Sequence, residues 1–310
     1  MALDESELMR KNTLGENRHG WAGQLPDPTS GIFRPEAAIS VQDVTKRFGE
    51  HTVLEGVTFD IPRGQTSAVL GPSGTGKSVL LNVIIGLMRP EQGQVYIDDE
   101  PIVGISHRDI LRIRHKFGVM FQDGALFGSM DVYDNIAFPM REHTKKSESE
   151  IGRVVRDKAE MLGIARHLHK MPADISGGMR KRAGLARALA LNPEIVFFDE
   201  PDSGLDPVRV AHLDSMIRRV QYETGCTFFV ITHNVESVRR TADYVGMLFR
   251  SHLVGFGPAK QMLESQRPLL KQFFAGSEHG PIGMDELTDA DAADEGITPD
   301  GVPVTDGKWP

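Results

Sequence analysis

Gly71-Pro72-Ser73-Gly74-Thr75-Gly76-Lys77-Ser78 fits the phosphate-cradling pattern G-x-x-x-x-G-K-[ST] at every position. The apolar run Thr66-Ser67-Ala68-Val69-Leu70 comes before it, and the helix-like run Val79-Leu80-Leu81-Asn82-Val83-Ile84-Ile85 comes after. Strand, glycine-rich loop and helix, in that order, are the context the pattern requires. Glycines let the backbone bend so that successive N–H groups point at one phosphate chain. The following helix adds the positive end of its dipole. Gly71, Pro72, Ser73, Gly74, Thr75, Gly76, Lys77 and Ser78 are therefore the candidate cradle of a nucleotide. Lys77 is placed to reach the β- and γ-phosphates, and Ser78 to ligate Mg²⁺.

Outward from this loop, Ile39 to Val44 alternates as a strand, Thr52 to Phe59 reads as a second, and Gln94 to Asp98 as another. From about Gly124 to Ala190 the character is helical, with apolar residues at helical spacing over Met130–Ala137, Ser147–Leu162 and Gly178–Leu191. Strands return at Ile195–Phe198 and Thr227–Ile231, separated by a helical stretch from Val208 to Glu223. Tyr244–Phe249 and His252–Phe256 read as a closing strand pair, and Lys260–Phe274 as one helix. Alternating strands and helices imply a mostly parallel sheet with helices on its faces. A helical insert sits between the phosphate loop and the later strands. No internal repeat is visible, so one nucleotide module is expected.

Two further clusters carry chemistry. Ile195-Val196-Phe197-Phe198-Asp199-Glu200 is an apolar strand ending in two carboxylates. Asp199 can hold Mg²⁺ through water and Glu200 can polarise an attacking water, the division of labour that phosphoryl transfer asks for. Ser176-Gly177-Gly178 opens a helix rich in basic residues, Arg180, Lys181, Arg182 and Arg187. Serine is an N-cap and the glycines allow close backbone approach. That helix end is either simply capped or a second phosphate-binding terminus.

The 310 residues are 40% apolar and carry a net charge of −8, with a pI of about 5.8. That balance argues against a nucleic-acid footprint, which shows a basic face. Much of the negative charge lies in the tail, from Glu278 to Asp306 against Lys308. Residues 1–36 read as a flexible leader and 279–310 as an acidic, disordered tail. A single cysteine, Cys226, lies in an apolar run and reads as a small buried side chain, suiting a reducing compartment. No apolar run nears the roughly 18 residues that span a bilayer, so membrane association is expected only through partners. Met1–Arg10 has no apolar signal region.

Gly71–Ser78, Gln122, Ser176-Gly177-Gly178-Met179, Phe197–Glu200, Ser203-Gly204-Leu205-Asp206 and His233, in this order, resemble the ATPase subunits of ABC transporters. The resemblance covers roughly residues 39–275. It implies an α/β P-loop NTPase of ABC type, with a mixed sheet core and an inserted helical subdomain at about 124–190 inside a domain of 37–278. It further implies roles. Gly71–Ser78 is the Walker A loop, and Gln122 the Q-loop glutamine that senses Mg²⁺ and the membrane partner. Ser176–Met179 is the signature that caps ATP on the opposite subunit. Asp199 and Glu200 are the Walker B pair, Ser203–Asp206 the D-loop, and His233 the switch histidine at the γ-phosphate. Phe48 is placed like the aromatic that stacks on adenine, although a lone phenylalanine can equally be core. Two positions depart from the pattern. Met179 stands where glutamine is common. Asp202 brings an extra carboxylate expected to weaken nucleotide binding or to alter its pH response.

Phe121-Gln122-Asp123-Gly124-Ala125-Leu126-Phe127 and Asn135–His143, with Pro139-Met140-Arg141-Glu142-His143 at its end, look like the ATPases of Mla and Mce lipid-transport systems. Gln272–Gly276 with His279–Glu286 resembles the actinobacterial Mce-associated ATPase. The resemblance implies an ATP-hydrolysing motor that binds ATP and Mg²⁺ and pairs head to tail around two nucleotides. It would serve an Mce/Mla-type integral-membrane permease from the cytoplasmic face of the cell membrane. An ATPase for another cargo, such as amino acids or lipoprotein release, is the alternative. A soluble ABC-type protein of DNA repair or translation is a further one, although its usual two modules or basic surface are absent here.

Overall fold

The computed structural model describes residues 37–282. The leader 1–36 and the tail beyond Ile282 lie outside the described residues, as does the Gly283–Glu286 half of the His279–Glu286 stretch. Two sheets share the chain. The first is antiparallel: β1 (Ala37–Phe48) pairs with β2 (His51–Pro62) on one edge and β4 (Gln92–Ile97) on the other, and β5 (Glu100–Pro101) closes it. The second holds β3 (Thr66–Leu70), β6 (Phe117–Met120), β7 (Ile195–Asp199), β8 (Thr227–Ile231), β9 (Tyr244–Phe249) and β10 (His252–Pro258). Its order is β10-β9-β3-β8-β7-β6, parallel throughout except for the final hairpin β9–β10. The single sheet expected from the alternation is thus two, because the first strands pair with one another and not with β3.

Side chains alternate across a strand, and β7 shows what this does. Ile195 and Phe197 enter one apolar cluster, shared with β1, β2 and helix α1 (Lys77–Ile84). Val196 and Phe198 enter the other. That second cluster is covered by α3 (Val132–His143), α4 (Glu148–Met161), α5 (Gly177–Ala188) and α6 (Pro207–Thr224). The central sheet is buried on both faces, as continuous apolar strands such as Thr227–Ile231 require.

Helix starts follow local chemistry. Ser147 and Glu150 form a reciprocal capping box at α4. The carboxylates of Asp131 and Asp206 cap α3 and α6. α3 begins two residues later and ends six later than Met130–Ala137, running through Pro139. The expected helix 260–274 is two, α8 (Ala259–Leu263) and α9 (Pro268–Ala275), with Pro268 at the first turn of the second, where proline is tolerated. β5, β6 and helix α2 (His107–Arg114) were not expected at all; α2 buries only Ile113, so it has no apolar stripe to read. α7 (Val235–Thr241) follows β8.

Candidate functional site

Four neighbouring parallel strands, β3, β8, β7 and β6, end at one edge of the central sheet. In order they deliver the phosphate loop, His233, the pair Asp199–Glu200, and Gln122. Ligands of open α/β sheets bind at this carboxyl edge. The sequence segments lie far apart; strand order is what brings them together.

The loop from Gly71 to Gly76 turns at Gly74 (φ +83°) and Gly76 (φ +93°), which N-caps α1. At Gly76 a Cβ would sit 2.8 Å from the Val53 carbonyl, so the loop's backbone lies directly on β2. The Lys77 ammonium donates to the carbonyls of Gly71 (2.9 Å) and Pro72 (2.7 Å). Burial lowers its pKa, against the opposing pull of Glu200 and Asp199. The exposed Ser78 hydroxyl donates to Asp199 Oδ1 at 3.3 Å. Half-buried Asp199 has its pKa raised by desolvation, opposed by that hydroxyl bond.

Glu200 carries positive φ, +46°, a conformation unusual for a non-glycine residue. Its N–H donates to the Ile231 carbonyl (2.8 Å), which ties the end of β7 to β8. His233 Nδ1 stands 3.4 Å from Glu200 Oε1. Lys77, Ser78, Asp199, Glu200 and His233 therefore form one connected group. The others stand apart from it. Ser176 is exposed, and its hydroxyl accepts from the Met179 N–H, capping α5. Gln122 is exposed in a 3₁₀ turn, Gln122–Gly124. Phe48 is 49% exposed, with the Lys46 ammonium 5.2 Å from its ring centre. It is no core residue.

Asp202 lies inside the protein. It is 5% exposed and accepts from the Thr232 hydroxyl at 2.9 Å. Thr232 Oγ1 in turn accepts from the Asn234 N–H. The carboxylate is buried and braces the chain on either side of His233. Cys226 is buried and donates its S–H to the Pro193 carbonyl, as a structural residue does.

The donor set fits Mg²⁺. Two oxygens, from Ser78 and Asp199, converge, and the raised pKa of Asp199 marks a carboxylate whose charge a cation would stabilise. Among the described residues no cluster of three acidic, histidine or cysteine side chains could hold a metal unaided. That suits an ion bound by one or two protein oxygens together with substrate phosphates.

The family model described as "ABC transporter" matches residues 54–203. The "Probable ribonucleotide transport ATP-binding protein mkl" of Mycobacterium leprae (strain TN) is 54% identical over 252 residues, covering 81% of this chain and 73% of that one. The chain belongs to the ABC transporter ATPases. It is an ATP-binding, ATP-hydrolysing transport subunit, and cassettes of this family dimerise and act with membrane permeases. The "Intermembrane phospholipid transport system ATP-binding protein MlaF" of Haemophilus influenzae is 37% identical, covering 79% of this chain and 92% of that one. Among solved structures, cbiO1 of Clostridium perfringens, part of the transporter complex cbiONQ, superposes with a TM-score of 0.69 at 28% identity, covering 76% and 94%. The dimeric cassette MJ0796 bound to ADP and Pi superposes at 0.66 and 28%, covering 71% and 98%. No helix of the described residues is long and apolar enough to cross a membrane.

One residue of this ABC ATPase is not marked by the sequence: Lys181 shows there only as part of a basic helix. Its ammonium is buried beneath the site and donates to Ser203 Oγ (3.1 Å) and the Glu200 carbonyl (3.4 Å). Nothing in the local spacing marks it, because its partners come from a strand end some twenty residues on.

Proposed function

We propose that this chain powers a lipid-moving ABC transporter, docked under an Mce/Mla-type permease on the cytoplasmic face of the cell membrane. The observation that carries the reading is a groove of about 270 Å³ that connects to the Gln122 turn through Arg187. Leu111, Phe117, Pro139, His143, Arg187 and Leu191 are among its walls. Pro139 and His143 belong to the stretch that resembles lipid-transport ATPases. A mark of partner type thus lies in a concave surface connected to the turn. Arg187 links the two: it donates to the carbonyls of Gly124 and Ala125 and lies over the exposed Phe127 ring. The likeness to the phospholipid-transport ATPase MlaF supports the same cargo class. The ribonucleotide-transport name of the Mycobacterium leprae relative favours a second reading, a ribonucleotide cargo.

In the proposed site, Gly71–Ser78 hold the triphosphate, with Lys77 at the β- and γ-phosphates and Phe48 on adenine. Ser78 and Asp199, with Gln122, hold Mg²⁺, whose chemistry is to neutralise charge on the phosphates. Glu200 orients and polarises the attacking water, and His233 contacts the γ-phosphate and Glu200. Ser176, Gly177 and Gly178 complete the pocket of a second copy. The exposure of Ser176, and the absence among the described residues of a hydrogen bond from these three to this chain's own Lys77 group, support that role. The catalytic unit is taken as 37–278, with 124–190 as the helical subdomain.

The test is to solubilise membranes carrying a tagged Glu200→Gln chain with ATP and identify what co-purifies. An Mce-type permease is expected to co-purify, and the parent chain reconstituted with it is expected to turn over faster with phospholipid. Turnover stimulated by ribonucleotides and indifferent to lipid would replace the cargo.

A further inference from the structure

α5 begins at the exposed Ser176 and, five residues on, sends Lys181 into the protein, where it is 1% exposed. Burying an ammonium is expensive unless its partners compensate. The partners here are all on the reaction side. The Ser203 hydroxyl accepts at 3.1 Å and the Glu200 main-chain carbonyl at 3.4 Å. The charges that favour the ammonium belong to Asp123, Asp202 and Glu200, while burial lowers its pKa. Asp123 is the neighbour of Gln122, so the turns after β6 and β7 both supply counter-charge.

The Glu200 backbone is held on two sides. Ile231 accepts its N–H at 2.8 Å, and its carbonyl accepts from the Ser203 N–H at 3.2 Å as well as from Lys181. At φ +46° this is a strained conformation that its surroundings must maintain. A shift of α5 would move the ammonium and, with it, the peptide unit that aims the Glu200 side chain.

We propose that Lys181 is a positioning residue for hydrolysis, coupling the orientation of Glu200 to the position of the helix whose N-terminus caps the nucleotide of the second copy. This rests on the paired-site reading above. Each α5 then touches both pockets: Ser176–Gly178 meet the nucleotide on the partner, and Lys181 holds the glutamate facing the nucleotide on its own chain. Closure on one nucleotide aligns the carboxylate at the other.

The test uses the full chain with MgATP. Lys181→Met keeps an unbranched side chain and removes the ammonium. We expect kcat to fall about ten- to a hundred-fold, the scale of a small misplacement of a reacting group, while the Kd for MgATP stays within about two-fold. Ser203→Ala should reduce kcat about three-fold with the same split. A folded Lys181→Met chain with parental kcat, or a loss of MgATP affinity as large as the loss of turnover, overturns the proposal. Should that variant fail to fold, Ser203→Ala decides: parental kcat there overturns it. Glu200→Gln assayed alongside separates the levels, since parental turnover in that control would remove the site reading itself.

Discussion

A carboxylate that polarises water needs a fixed direction, and the direction of Glu200 is set by its main chain more than by its neighbours' side chains. Replacing it by Gln keeps the shape and removes the basicity. Glu200→Gln is therefore expected to bind ATP as the parent does, to lose about 10²–10⁴-fold in turnover, and to associate more in ATP because the bridging triphosphate persists. Phosphate release and light scattering measure the two effects; parental release would remove Glu200 from its role. Asp199 offers a test by pH. Its folded pKa is raised by burial. Between the ordinary carboxylate range and that raised value, the folded chain keeps a proton that the unfolded chain has lost. Stability is lost as pH rises through this window and stays lower above it. Asp199→Asn does not titrate. Without nucleotide or Mg²⁺ it should melt above the parent at pH 7, with the gap closing as pH falls to the acid end of the window. A variant that melts lower at pH 7 and relatively higher in acid would contradict the burial argument. Much at this scale was legible in sequence. Lys77, Ser78, Asp199, Glu200 and His233 lie together because each belongs to a motif whose offset from a strand end is fixed. Lys181 and the inward turn of Asp202 were not legible, since both depend on partners that only the fold supplies.

The elements meet most closely where α5 passes β6 and the Gln122–Gly124 turn. A Cβ on Gly118 would lie 2.1 Å from the Ala188 carbonyl, and one on Gly124 2.6 Å from the Arg180 carbonyl. A Cβ on Gly184 would lie 2.7 Å from Gly124 Cα. Gly184 sits inside a helix, where Ala normally helps by about 1 kcal/mol. Here main chain blocks it, and overpacking costs about 1–3 kcal/mol. Gly184→Ala is thus expected to lower the melting temperature by about 2–8 °C and to displace the Gln122 turn. Calorimetry and permease-stimulated turnover should both fall; a rise in melting temperature would show that the contact yields freely. The sequence signalled α4, α5 and α6 through their apolar spacing, and β3 at its observed bounds. It was silent on β6, which has four residues, and on α2, which buries one side chain. It merged α8 with α9 because Pro268, read as a mid-helix residue, is the start of a new helix. Separate sheets were illegible for a different reason: pairing partners are chosen by long-range packing, and alternation along β1 and β2 fits either sheet.

At the scale of the whole molecule, no hydrogen bond among the described residues joins the Lys77 group to Ser176–Gly178. On the proposed reading, a chain with a site divided in this way is incomplete alone, and head-to-tail pairing around two nucleotides would complete both pockets at once. Cassettes of its family dimerise, and the solved neighbour holding ADP and Pi is itself a dimer. The arrangement makes a complementation experiment decisive. Lys77→Ala removes the cradle cation, and Ser176→Arg blocks the capping helix end. Each variant alone should lose nearly all turnover. In a mixed pair, one pocket inherits both defects. The other takes Lys77 from the Ser176→Arg chain and Ser176 from the Lys77→Ala chain, and is whole. Random pairing of equal amounts makes half the dimers mixed, so about a quarter of all pockets are intact and turnover should return to about that fraction of the parent's if pockets act independently. A smaller but clear recovery would mean that one pocket fires less well without its twin, as the Lys181 link requires. No recovery, with mixed pairs shown to form, would mean that both groups serve the same chain's nucleotide. The divided site would then be wrong.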